Sequence, residues 1–323
     1  MLVTYGQAIH DGLAEEMRRD DTVVVFGEDV ASLGGLYGVT QGLLREFGDK
    51  RIWNTPITEN AIAGAAVGAA MTGLRPCIDM MYADFLLTAF HELFHSAGNW
   101  RYQHGKSFAV PLVVRAAMGH ATGSGGEHSL CPESLFMHAP GLTVIAPSTP
   151  YDAKGLIKSA IRSDNAVIFL EHKQLYSLQE ELPAEEYTLP IGKGRVVRDG
   201  SDVTIITWSA MVQTAQAAAA ILETEGISAL VFDVRTLSPL DEDGILQAAK
   251  KTGRVVVASE SYGTCGASAE IAAQLQDKLF GSLKAPIRRV AAPDIPLPYA
   301  PHLEASLLPD ENTIVQAVRS LIS

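Results

Sequence analysis

With 323 residues, 47% of them hydrophobic and 19% charged, the chain has the composition of an ordered protein with room for two domains, and disorder is excluded. A net charge of -12 argues against a nucleic-acid binder, which needs a basic face, and leaves any phosphate ligand dependent on a metal or a neighbouring subunit. Three widely spaced cysteines, Cys77, Cys131 and Cys265, offer neither a disulfide framework nor a cysteine metal site and suit a reducing cytoplasm.

In chain order, "MLVTYGQAIHDGLAEEMRRDD" reads as an amphipathic helix dense in acids, unlike a signal or transit peptide. Runs rich in Val and Ile then alternate with helical periodicity. "TVVVFGED" (22–29), "RPCIDMMY" (75–82), "VPLVVRAAM" (110–118), "LTVIAPS" (142–148) and "AVIFLEH" (166–172) predict buried strands. Helices are predicted at 60–73, 86–103 and 150–163. The most apolar run, 61–74, is shorter than the roughly 20 residues a bilayer requires, so no membrane span is expected. Strands with so little polar alternation, separated by helices, imply a parallel sheet covered on both faces.

One helix carries "HELFH" (91–95), the H-E-x-x-H pattern that places two imidazoles and a general-base glutamate on one helical face, as in zinc peptidases. The longer form of that pattern asks for a third histidine where this chain has Arg101, and a guanidinium cannot ligate a metal. A zinc peptidase is therefore only a remote reading. Prolines, glycines and acids at 177–195 break the rhythm and predict a linker. A second series follows with strands at 202–208, 228–235, 254–260 and 286–293. No phosphate-loop motif or G-x-G-x-x-G occurs, and "HATGSGGEHS" (120–129) reads as a mobile loop carrying a histidine.

Five stretches together, "FGEDV" (26–30), "NTPITENAIAGAAVGAAMTGLRP" (54–76), 140–176, "DVRTLSPLDEDGIL" (233–246) and "ASESYGTCGASAEIA" (258–272), resemble one family. The chain is similar to the beta subunits of thiamine-diphosphate-dependent 2-oxo acid dehydrogenases and of acetoin dehydrogenase, over essentially its whole length. The resemblance implies an α/β fold of two parallel-sheet domains. A transketolase-like pyrimidine-binding domain would span 1–180, a linker 181–194, and a transketolase C-terminal-like assembly domain 195–323. It implies a cytoplasmic enzyme subunit that decarboxylates a pyruvate-like or branched-chain 2-oxo acid, or cleaves acetoin. The acyl group would pass to a lipoyl-bearing acyltransferase. Two competing readings fit the same stretches: a split transketolase-like enzyme moving a two-carbon ketol unit, and a non-catalytic scaffold that keeps the fold.

The same resemblance assigns roles. Glu59 of "TPITE" would hydrogen-bond a pyrimidine nitrogen of the cofactor and favour its imino form; the plainer reading is that Thr58 or Glu59 caps an apolar helix. Phe85 would pack on the aminopyrimidine ring or simply lie in the core, and Glu28 would join a carboxylate relay or occupy a surface turn. His128 would donate to the substrate's developing oxyanion, beside Glu127 where glutamine is common; a negative neighbour raises an imidazole's pKa. Leu112, Ala160, Ile161, Ser163 and Asn165 match the positions of a structural potassium ion, with Ser163 replacing a common aspartate. The G-D-G that usually opens the Mg²⁺-diphosphate motif does not occur in the chain. An alpha subunit is therefore expected to hold Mg²⁺ and share the cofactor, in a heterotetramer of two alpha and two beta chains.

Overall fold

The computed structural model describes residues 2–105, 108–120 and 123–322. Strand β1 (Leu2–Thr4) leads into helix α1 (Tyr5–Arg19), where the Thr4 hydroxyl accepts the Gln7 amide at 3.2 Å and so caps the helix start. Then follow β2 (Val23–Gly27), α2 (Leu43–Phe47), β3 (Ile52–Asn54), α3 (Glu59–Met71) and β4 (Arg75–Tyr82). A 3-10 turn (Ala83–Leu87), a π-helix (Glu92–Asn99) and α4 (Trp100–His104) replace the single helix expected at 86–103. Next come β5 (Val113–Met118), α5 (Glu133–Met137), β6 (Thr143–Ile145), α6 (Pro150–Arg162), β7 (Val167–His172) and β8 (Gln179–Glu181). The remainder comprises β9 (Arg195–Arg198), β10 (Val203–Thr207), α7 (Met211–Thr224), β11 (Ala229–Asp233), β12 (Thr236–Ser238) and α8 (Glu242–Thr252). It closes with β13 (Val255–Tyr262), α9 (Ala267–Leu279), β14 (Arg288–Ala292), α10 (Pro301–Leu307) and α11 (Glu311–Ile322).

The chain forms two compact units. The first runs through Met118 and resumes at Leu135–Ile191; the second comprises Gly119–Ser134 and everything from Gly192. The main division, between Ile191 and Gly192, falls inside the 181–194 stretch. A loop of the expected first domain belongs to the second unit. The expected linker is docked on the first: β8 pairs antiparallel with β1, Tyr187 stacks on Tyr151 at 4.6 Å, and Leu189 fills the space over Gly155.

In the first unit the parallel order is β6-β7-β5-β4-β2-β3. Strands β2, β5, β6 and β7 are buried along their whole length, which is why they read as unbroken apolar runs. Helix α1 lies against α6, and Gly12 permits the approach, since a Cβ there would meet Ile157 Cγ2 at 2.6 Å. The charges drawn into this contact are paired: Lys158 Nζ sits 2.5 Å from Glu15, and Arg162 sits 2.6 Å from the buried Glu16.

The second unit orders β14-β13-β10-β11-β9, parallel except for β9, which runs antiparallel to β11 at the edge. Its core joins Val203, Ile205, Val231 and Val256 of the sheet to Ile314 and Val318 of α11. Among the described residues, no helix is long and apolar enough to cross a membrane.

Candidate active site

In the first unit β2, β3 and β4 run parallel, so their carboxyl ends lie side by side, the edge at which open α/β sheets bind ligands. Gly27 ends β2 opposite Asn54 and Asp79. Its φ of +153° and a Cβ position 2.4 Å from the Asp79 carbonyl oxygen restrict that position to glycine. Glu28 follows directly. The loop leaving β3 is tied to the same point, because the Thr55 amide donates to the Gly27 carbonyl at 2.9 Å. This loop delivers Glu59 as the first residue of α3, where the helix dipole favours a carboxylate.

Thr58 does not cap that helix. Its hydroxyl lies 3.1 Å from Asn60 Oδ1, which also accepts the Ala61 amide at 2.8 Å. Glu59 therefore begins the helix with its carboxylate partly exposed. Glu28 is buried, and burial pushes its carboxyl pKa up; the charges of Glu59, Asp29 and Asp79 push it further in the same direction. Glu28 and Glu59 thus lie within electrostatic reach of each other.

Phe85 sits in the turn after β4, at the same edge. Ala83 and Leu86 on either side are buried, whereas Phe85 keeps part of its ring accessible and meets Tyr82 edge to face at 5.8 Å. Lys173 Nζ lies over the Tyr82 ring, 5.5 Å from its centre. The structure therefore brings Glu28, Glu59 and Phe85 together on one edge.

Beneath them is a buried network that the sequence reading missed. Arg115 grips Glu171 through two hydrogen bonds of 2.6 and 2.9 Å and donates to Asp79 at 3.1 Å. Tyr176 donates to Glu171 at 2.5 Å and stacks on Tyr37 at 4.2 Å. Burial raises the Asp79 pKa, opposed by Arg115. Burial also disfavours the Arg115 charge, yet Glu171 and Asp79 outweigh it and hold the guanidinium firmly protonated. The signal was present in the sequence: three of the apolar strand runs each carry one charge in their interior, Asp79, Arg115 and Glu171. Parallel register aligns Asp79 with Arg115, and Arg115 lies two residues from the partner of Glu171, on the same face.

His128 belongs to the second unit. Its loop is seated there by glycines: a Cβ on Gly125 would strike the Tyr299 ring at 2.4 Å, and the Gly123 amide donates to Glu304 at 2.9 Å. Glu127 accepts the Tyr299 hydroxyl at 2.9 Å. At the loop's start the His120 amide donates to Glu260 at 2.6 Å, and His120 Nδ1 lies 2.8 Å from the same oxygen. At its end the buried Glu133 accepts from Trp208 Nε1 at 2.8 Å; burial, aided by Glu260, pushes its carboxyl up to about 7.

"HELFH" does not build a zinc site. His91 is 76% exposed in its side chain, the two imidazoles are 5.2 Å apart, and His95 Nδ1 faces Asn99 at 3.3 Å. Among the described residues, no third His, Cys, Asp or Glu completes a cluster with the pair. The positions matched to potassium lie together, but their oxygens are engaged. Arg75 Nη1 donates to the carbonyls of Ile161 and Ser163 at 3.1 and 2.9 Å, and Arg101 donates to Asn165 Oδ1. The Ala160 carbonyl takes the Ser163 amide at 3.1 Å, and the Leu112 carbonyl takes that of Val167 at 2.8 Å.

Comparison with known proteins identifies the family of both units. Residues 2–179 match the family "Transketolase, pyrimidine binding domain", and residues 192–314 match "Transketolase, C-terminal domain". The chain is 43% identical to 2-oxoisovalerate dehydrogenase subunit beta of Bacillus subtilis, covering 99% of this chain and 98% of that one. It is 45% identical to pyruvate dehydrogenase E1 component subunit beta of Porphyra purpurea, with 98% and 96% covered. It is 43% identical to acetoin:2,6-dichlorophenolindophenol oxidoreductase subunit beta of Cupriavidus necator, with 97% and 95% covered. A solved split-gene transketolase, described as an inactive beta4 tetramer, superposes with a TM-score of 0.80 at 23% identity, covering 99% of this chain and 98% of that one, a likeness of fold.

Proposed function

This chain belongs to the transketolase-like beta subunits of the 2-oxo acid and acetoin dehydrogenases, and from that premise we propose that its first unit supplies the proton-handling half of a thiamine-diphosphate site. The enzyme it serves decarboxylates a 2-oxo acid or cleaves acetoin and passes on the acyl group. When bound, the cofactor supplies a nucleophilic carbon that can carry the negative charge left by bond cleavage. The chain's own residues would handle the protons around it.

The observation that carries this reading is the pairing of Glu59 with Glu28 at the carboxyl edge of β2 and β3. Glu59 would hold and return a proton at a pyrimidine nitrogen. Glu28, whose carboxyl pKa is raised by burial and by the neighbouring acids, would be the second carboxyl of a proton relay with it. Phe85, half-buried at the same edge, offers a flat apolar surface for the ring. His128 would donate to the substrate oxygen. An alpha subunit would hold Mg²⁺ and the diphosphate, in an assembly of two alpha and two beta chains, and a lipoyl arm on an acyltransferase would take the acyl group. The three free cysteines suit a cytoplasmic setting.

The test is Glu59→Gln in the complex reconstituted with the alpha subunit. The amide keeps size and helix position but transfers protons poorly, and general acid-base groups contribute roughly 10²–10⁴-fold to rate. Turnover falls by that order, hydrogen-deuterium exchange at the cofactor's reactive carbon slows in parallel, and cofactor affinity changes much less. An E59Q enzyme with full turnover overturns the assignment.

A further inference from the structure

The oxygens that match a structural potassium ion are not presented to a free cation. Arg75 comes from the first residue of β4 and reaches the turn between α6 and β7. There its Nη1 donates to the Ile161 and Ser163 carbonyls at 3.1 and 2.9 Å, while its Nη2 donates to Asp164 at 2.8 Å. Arg101, from α4, donates to the side-chain oxygen of Asn165 on the other side of the same turn. Within the turn, the Asn165 amide donates to Ser163 Oγ at 3.1 Å. The two remaining carbonyls, of Ala160 and Leu112, accept backbone amides that end α6 and open β7.

A potassium ion is held by several oxygens that together replace its hydration shell. Here the only side-chain amide oxygen of the set is taken by a guanidinium, and Ser163 brings no negative charge to balance an added cation. Arg75 brings a positive charge that Asp164 already pairs with, and Arg101 brings a second one onto Asn165, so an added cation would meet like charge there. The chemistry of the donor set therefore does not fit the ion.

We propose that Arg75 and Arg101 replace the monovalent cation, tying the α6–β7 turn to β4 and α4 with guanidinium groups, so that this chain needs no potassium to hold it. Such a tie is built into the covalent chain and always charged, whereas an ion site empties when the salt changes. Arg101 is the more informative position, because Arg75 also lies 3.8 Å from Asp20 and its loss disturbs a second contact.

The experiment compares thermal unfolding of the full chain in potassium chloride, sodium chloride and choline chloride at equal ionic strength, for the parent and for Arg101→Met. The parent should melt at one temperature in all three salts. R101M, which keeps the apolar stem but loses the donor, should melt lower than the parent in sodium and in choline chloride, and potassium alone should recover part of the loss by binding the freed Asn165 oxygen. A saturable rise in the parent's midpoint with potassium and not with choline would overturn it. So would an R101M midpoint equal to the parent's in sodium and in choline chloride. Neither readout depends on cofactor, alpha subunit or turnover.

Discussion

Replacing Arg115 with methionine removes the positive centre of the network under Glu28. Three hydrogen bonds disappear, two of 2.6 and 2.9 Å to Glu171 and one of 3.1 Å to Asp79. Two carboxylates whose side chains are only 1% and 4% exposed are left facing each other without a counter-charge. Breaking a buried ion pair on one side costs about 3–5 kcal/mol. Methionine fills most of the space of the arginine stem, so the cavity contribution is small. For a domain of this size each kcal/mol shifts the midpoint by about 2–4 °C, so the first unit should melt roughly 6–20 °C lower.

The loss should also depend on pH. Burial already raises the Asp79 carboxyl and Arg115 opposes it, so without Arg115 its folded pKa lies further above the ordinary carboxylate range. Such a group stabilises the fold fully below the unfolded value, and the contribution is lost as pH rises through the folded value. R115M should therefore lie nearest its parent around pH 4–5 and farthest below it around pH 8. Scanning calorimetry of the full chain at both pH values checks this. A midpoint at pH 8 within about 2 °C of the parent, or a larger loss in acid than in base, would refute the reasoning.

Three further outcomes are expected. Glu133 has its folded carboxyl pushed up to about 7, so its stabilising contribution is complete below the ordinary carboxylate pKa and fades as pH climbs through about 7. Glu133→Gln does not titrate, and denaturant melts should show the parent losing on the order of 2–3 kcal/mol relative to E133Q between pH 5 and 8; parallel pH profiles would contradict the assignment. His91→Ala should retain near-full turnover in the reconstituted complex, and metal analysis of the parent should find no stoichiometric zinc. In calorimetry, the isolated chain should bind thiamine diphosphate weakly whether or not Mg²⁺ is present, with tight binding appearing on addition of the alpha subunit; tight Mg²⁺-dependent binding by the chain alone would sink the half-site argument.

Much of this protein was determined by local sequence. The buried strands were legible because parallel strands covered on both faces must be apolar throughout: "RPCIDMMY" became β4 residue for residue, and "AVIFLEH" became β7 but for its first residue. Glu28 and Glu59 were nominated by the family resemblance, and the structure shows that each stands where an element ends or begins. What the chain alone did not settle was partnership across distance. β1 and β9 were missed because each is short and partly exposed, and only a partner strand, β8 or β11, makes them strands at all. "HELFH" carried the spacing of a zinc helix, but a metal site needs a third ligand in space, and the fold delivers none among the described residues. The potassium positions were named from the chain, yet it took the folding of Arg75 and Arg101 onto the same turn to show what occupies their oxygens. Asp79, Arg115 and Glu171 lie on three strands, and each alone reads as a stray charge. Strand register makes them one network, because the energy of a buried charge depends on which opposite charge folding places beside it.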